Sequence, residues 1–222
     1  MKKLVGIIAL TVVLTAAPLA ALGRTKPNIV FILTDDLGFG DEYGADPRFF
    51  GSTGPFDGLK RDVFEGGMRV PTFVRWPVQI KGGSTDNAPS QFHDWIATLA
   101  DAAGTAAPTE TEGVSLLPRW GEGNGKKAAP SLVYSQYEFP WSGSTEAFRA
   151  FESRKSPVRG LQQMLRVGDY VAVRTRIREG NAKTRLYNVV EDPFQNHDLS
   201  NLSEQKNRLR DMERTLDERL CR

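Results

Sequence analysis

The chain has 222 residues, 40% hydrophobic and 25% charged, ordinary globular proportions that exclude wholesale disorder. A net charge of +2 leaves no electrostatic footprint for nucleic acid, and no such partner is expected. The single cysteine, Cys221, excludes an intrachain disulfide and a multi-cysteine zinc site, and two histidines as distant as His93 and His197 do not suggest a zinc-enzyme cluster.

In chain order, Lys2 and Lys3 precede an apolar run from Leu4 to Leu22. The run closes on Ala21-Leu22-Gly23, a small-x-small pattern that predicts signal-peptide cleavage before Arg24. A retained membrane anchor is the alternative, because the run approaches spanning length, but Pro18 and several alanines weaken it. Residues 1–23 are read as the signal peptide, with no stable membrane insertion after its removal. Its loss takes away two lysines and no acid, leaving 27 basic against 27 acidic residues. Export and a lone cysteine together suit a bacterial periplasm or secretion. Asn201-Leu202-Ser203 matches a glycosylation sequon, read here as polar sequence before a helix.

Asn28 to Thr34 is a continuous β-rich apolar run and predicts a strand buried on both faces, as in a parallel α/β sheet. It ends in Asp35-Asp36-Leu37-Gly38-Phe39-Gly40-Asp41, at the strand end where ligands gather in such sheets. Residues 42–67 are glycine-rich and polar, with turn signals at Asp46-Pro47 and Gly54-Pro55. Arg69 to Trp76 reads as a second strand, edge or bulged because of Pro71. Ser90 to Ala103 predicts a helix capped by Ser90 and ended by Gly104, with Phe92, Trp95, Ile96, Leu99 and Ala103 on its apolar stripe. Gly121 to Ala129 reads as a linker. Beyond it, Ser131–Tyr137, Gln163–Arg166, Tyr170–Thr175 and Arg185–Val189 predict strands, with a hairpin turn at Gly168-Asp169. Glu204 to Leu220 predicts an amphipathic helix burying Leu209, Met212, Leu216 and Leu220. The domain reading is therefore residues 24–127 as an incomplete α/β domain and 128–222 as a small α+β subdomain, an antiparallel sheet with a C-terminal helix.

Two places carry candidate chemistry. Adjacent Asp35 and Asp36 cannot both stay charged cheaply without a counter-charge, which a hard divalent cation supplies; a solvated acidic turn is the alternative. An EF-hand fails because Gly38 and Gly40 occupy ligand positions, and a dinucleotide fingerprint fails because Tyr43 stands where its third glycine belongs. Lys60 lies in a glycine-flanked stretch, Gly58 to Gly67, where backbone can approach a ligand and an ammonium suits an anionic ester oxygen. Spacing alone favours a surface ion-pair cluster of Lys60, Arg61 and Glu65.

Lys26 to Asp41 resembles the opening strand of the sulfatase family, in the alkaline-phosphatase-like superfamily. Asp46 to Pro77 (DPRFFGSTGPFDGLKRDVFEGGMRVPTFVRWP) resembles that family's later GxK…EGGxRVPxxxRWP block. Asp94 to Gly104 resembles its DxxPTLxxxAG helix, with Ala97 in place of proline. Leu186 to Leu199 resembles its carboxyl-terminal LYDL..DP.E..NL pattern, with His197-Asp198 where the asparagine is expected. The resemblance implies an alkaline-phosphatase-like fold and a sulfuric-ester hydrolase acting on sulfated glycans or aryl sulfates. It implies calcium held by Asp35 and Asp36, a formylglycine nucleophile, and Lys60 as the sulfate-contacting lysine.

The resemblance also places a gap. Only Glu42 to Ala45 separate the first block from the second, where the family carries most of its catalytic domain. The Cys/Ser-x-Pro-x-Arg nucleophile signature belongs to that segment. Cys221 is followed only by Arg222, and Lys155-Ser156-Pro157-Val158-Arg159 has lysine in the nucleophile position. The family's Asp-Asn metal pair and active-site histidines have no match, and His93 and His197 are read as structural. The chain is thus expected to be inactive, with a weak, incomplete calcium site. The alternatives are a non-catalytic binder of sulfated polysaccharide, using Lys60 and the basic stretch Arg174 to Arg185, or a non-functional gene fragment. The apolar strand at 28–34, short of neighbours, is expected to be poorly supported.

Overall fold

The computed structural model describes residues 27–33, 51, 53–120, 132–139, 160–180 and 182–220. The chain divides into two compact units, Met1–Val30 and Phe31–Arg222. In the first, the described residues 27–30 have no regular structure, and 28–30 are exposed. The boundary expected at residues 127 and 128 lies outside the described residues.

A four-stranded antiparallel sheet organises this second unit. Its strands are β1 (Val133–Phe139), β2 (Gly160–Val167), β3 (Tyr170–Arg174) and β4 (Arg185–Asn188), in spatial order 1-2-3-4. Val167 pairs with Tyr170, leaving Gly168 and Asp169 as a two-residue hairpin loop. Gly168 has φ +59°, the left-handed value that such loops ask of glycine. Side chains alternate between the two sheet faces, and both faces are covered. On one, Met164, Val171, Val173 and Tyr187 pack against Val63 and Phe64. On the other, Leu165, Ala172 and Leu186 pack against Met212 and Leu216. Those last two come from helix α4 (Lys206–Leu220), which presents apolar residues at helical spacing. Sheet and helix form the α+β arrangement expected for the carboxyl-terminal part.

Three shorter helices precede the sheet: α1 (Glu65–Met68), α2 (Phe92–Ala102) and α3 (Leu117–Trp120). Helix α2 starts after Gln91 rather than Ser90, because Asp94 reaches back and accepts from the Gln91 N–H at 2.9 Å. Its buried face is Asp94, Ala97 and Thr98 instead of the expected apolar stripe. Asp94 and Thr98 accept from the N–H groups of Val114 and Leu116, both at 2.9 Å, so this face docks the backbone of a following loop. Phe92 and Ile96 stay 59% and 51% exposed.

Two expected strands are not formed. Asn28–Leu33, the described part of the first, and Arg69–Trp76 are both irregular. A strand is a ladder, and among the described residues neither segment has a partner strand to complete one. No parallel pair occurs among the described residues, so the α/β part of the fold expectation is carried by sequence and the α+β part by the observed sheet.

Candidate functional site

Lys60 belongs to a loop, residues 57–68, whose geometry follows from its glycines. Leu59 accepts the Asp62 N–H at 2.9 Å, making Lys60 and Arg61 the two corners of a tight turn. Asp62 ties the turn from the other side, accepting from the Leu59 N–H at 2.9 Å through its carboxylate. Arg61 has φ +71°, a left-handed conformation that costs a non-glycine residue about 1 kcal/mol. Lys60 is half-buried at this corner, while Leu59, Asp62, Val63 and Phe64 are buried.

The paired glycines lock the loop onto itself. A Cβ on Gly66 would lie 2.5 Å from the Gly58 carbonyl oxygen, and one on Gly67 would lie 2.3 Å from that of Leu59. Only hydrogen fits at either position. The Gly66 N–H donates to the Asp57 carbonyl at 2.6 Å, closing the loop. The lysine turn is therefore fixed to the start of α1, and Val63 and Phe64 anchor both to the sheet.

Glu65 is not part of a surface cluster. It is 2% exposed, and its Oε2 accepts from Arg166 Nη1 at 2.7 Å and from Arg69 Nε at 2.5 Å. Its N–H donates to Gln195 Oε1 at 2.9 Å. Burial pulls Arg166 below its ordinary value, and Glu65 opposes that by favouring the charged guanidinium. The Arg69 guanidinium also lies over the Phe56 ring, 4.2 Å from its centre. Arg166, on β2, and Gln195, after β4, were not singled out by spacing. Each acts on Glu65 over a sequence separation of 101 or 130 residues that no local pattern records.

Asp35, Asp36 and Cys221 lie outside the described residues. Among the described residues no group of three or more His, Cys, Asp or Glu could hold a metal ion. Two carboxylates alone supply a minority of the roughly six to eight oxygens calcium takes. His197 is exposed, its N–H donating to Asp192 at 2.8 Å. His93 contacts the Gln91 side-chain nitrogen at 2.6 Å. It borders a shallow cleft of about 470 Å³ lined also by Ile96, Pro108, Glu110, Thr111 and Glu112. Lys60 does not line that cleft.

The basic stretch from Arg174 to Arg185 is largely engaged within the protein. Arg174 bonds Gln163 and Asp217, both at 2.8 Å. Arg178 pairs with Glu138 at 2.8 Å, Lys183 lies 3.6 Å from Asp198, and Arg185 lies over the Phe64 ring.

Residues 51–157, which include the lysine loop, match the family model of N-sulphoglucosamine sulphohydrolase, C-terminal. The chain is 36% identical over 116 residues to an N-acetylglucosamine-6-O-sulfatase of Bacteroides thetaiotaomicron, covering 51% of this chain and 19% of that protein. It is 30% identical over 142 residues to an N-acetylgalactosamine-6-sulfatase of Rattus norvegicus, covering 58% and 26%. A steryl-sulfatase of the same animal is 35% identical over 105 residues, covering 46% and 18%. A solved structure in complex with its substrate, D-glucosamine-2-N,6-O-disulfate, aligns with a TM-score of 0.48 at 21% identity, over 65% of this chain and 26% of that one. The chain thus spans about a fifth to a quarter of the length of the curated relatives it matches. By the family model and these sequence relatives together, the matched part of the chain is similar to the sulfatases.

Proposed function

We propose that this chain carries the sulfate-contacting lysine loop of a sulfuric-ester hydrolase but not the group that attacks sulfur, and that alone it does not turn over sulfate esters. The observation that carries the reading is the lysine turn itself. Lys60 sits at the corner of a turn locked by Gly58, Gly66 and Gly67, a rigid mount for a point charge facing an anionic ester oxygen. The substrate class is a sulfated glycan or an aryl sulfate, in line with relatives named for sulfated sugars and sterols.

Covalent catalysis needs a starting nucleophile. No Cys/Ser-x-Pro-x-Arg stretch occurs anywhere in the 222 residues. Calcium held by Asp35 and Asp36 would be bound weakly, most of its shell being water. The signal-like residues 1–23 support a periplasmic or secreted location. The binder of sulfated polysaccharide is the weaker reading, because most of its basic stretch is occupied by partners within the fold.

The test is incubation of the purified chain with an aryl sulfate and calcium, following phenol release. The expected result is no product beyond the uncatalysed background. Multiple turnovers per chain would overturn the reading.

A further inference from the structure

Strand β1 ends the sheet, so one row of its backbone groups faces away from β2. The Gln91 side chain fills two places in that row. Its Nε2 donates to the Leu132 carbonyl, and its Oε1 accepts the Tyr134 N–H at 3.2 Å. A C=O and an N–H two residues apart on one strand point to the same edge. The Gln91 amide therefore stands where the peptide group of a further strand would stand. Gln91 also precedes α2, and the Asp94 carboxylate accepts its N–H. One side chain thus fastens the start of α2 to the edge of the sheet.

These bonds fix the orientation of the amide. A flipped amide would set N–H against the Tyr134 N–H and oxygen against the Leu132 oxygen. The atom facing His93 is therefore the Gln91 nitrogen, 2.6 Å from His93 Nε2. An amide nitrogen donates and does not accept, so His93 Nε2 is the acceptor. The imidazole is then neutral, with its proton on Nδ1. A proton on Nε2 would put two donors face to face. The backbone here is held close: a Cβ on Gly113 would lie 2.0 Å from the His93 carbonyl oxygen.

We propose that His93 and Gln91 form a pH-operated clasp, in which protonation of His93 withdraws the Gln91 amide from the edge of β1. Among the described residues, the charged groups around His93 come from three elements. Glu110 and Glu112, in the loop after α2, line the same cleft and attract a proton to the imidazole. Arg219 of α4 opposes them; it pairs with Glu112 at 2.8 Å and lies over the Tyr134 ring. Asp94, on α2 itself, is engaged by the N–H groups of Gln91 and Val114. From β1, Tyr134 faces the clasp with its hydroxyl bonded to Gln136. Carboxylates ordinarily keep their charge down to about pH 5, so between about pH 8 and pH 5 the side chain that changes is histidine. The Glu112–Arg219 pair persists through that range, and the opening is local to the edge of β1.

The test follows the full chain by hydrogen exchange, corrected for the intrinsic pH dependence, and by imidazole 15N spectra. At about pH 8 His93 should be the Nδ1–H tautomer and the Tyr134 amide protected. At about pH 5 protection of that amide should fall at least about tenfold, while the amides of β3 and the circular dichroism of the sheet hold. His93→Gln, which takes up no proton, should keep the Tyr134 amide protected at both values. His197→Gln should leave the fall intact. Equal protection of Tyr134 in the wild type at both values, an Nε2–H tautomer at pH 8, the same fall in His93→Gln, or its loss in His197→Gln would each overturn the proposal.

Discussion

Arg166 Nη1 lies 2.7 Å from Glu65 Oε2, joining the strand next to the sheet edge to the first residue of the helical turn behind the lysine loop. Both side chains are nearly enclosed, with 9% and 2% of their surface exposed. Removing one member leaves the other charge buried without its partner. Arg166→Met is expected to destabilise the protein by about 3–5 kcal/mol, the usual cost of breaking a buried pair. Arg69, more exposed and still bonded to Glu65, should cost less when replaced by methionine. Urea denaturation followed at the sheet checks both, and equal costs would contradict the geometry.

The paired glycines give a sharper test of the loop. Gly66→Ala and Gly67→Ala each place a methyl group within 2.5 Å of a backbone oxygen of the lysine loop. Backbone cannot yield as a flexible side chain can, so each should cost about 1–3 kcal/mol. Gly82→Ala is the control, since nothing lies within 4 Å of its Cβ position. It should change stability by no more than about 0.5 kcal/mol. Differential scanning calorimetry of the three variants decides the matter.

Asp198 links stability to acid. Burial raises its pKa, but the N–H and hydroxyl of Ser200, the N–H of Leu186 and the Lys183 ammonium outweigh that, leaving it below the ordinary carboxylate value. A depressed folded pKa means the carboxylate stabilises the fold above the unfolded value of about 3.9, and that contribution is lost as pH falls through the folded one. Asp198→Ala should cost about 1–2 kcal/mol at neutral pH, through the bonds from Leu186 and Ser200. The gap between wild type and variant should close on acidification below the unfolded pKa. A gap that widens in acid would contradict this assignment.

Protection from hydrogen exchange should be uneven. Amides of β2, β3 and α4 should be the slowest, because their side chains fill the two clusters on either face of the sheet. Residues 57–68 should exchange slowly with them, since Val63 and Phe64 belong to one of those clusters. Residues 69–78 should exchange fast, with Val70, Phe73 and Val78 at 60%, 93% and 82% exposure. The reverse order would show that the sheet does not carry the stability of this unit.

Much of the carboxyl-terminal fold was legible because its signals are local. Gly168-Asp169 between two β-rich runs specifies a hairpin, and Leu209, Met212 and Leu216 specify one face of a helix. Lys60 was legible as a candidate because glycines flank it. The first strand was legible only as a propensity: Asn28–Leu33 has the composition of a buried strand, yet pairing is a property of two segments and none of the described residues supplies the second. The apolar stripe on α2 misled for a related reason, since periodicity marks a face able to be buried, while Asp94 and Thr98 found hydrogen-bond donors on the other side.

The sequence by itself determined the sheet-and-helix architecture beyond residue 132 and the resemblance to sulfatases, because turn chemistry, periodicity and motif spacing act over a few residues. Only the tertiary structure decided that Glu65 is a buried anchor held by Arg166 and Gln195, and that Gly66 and Gly67 exist to let two backbones touch. Those relationships join segments far apart in the chain, and the free energy that selects them comes from burial and close contact, which no local pattern encodes.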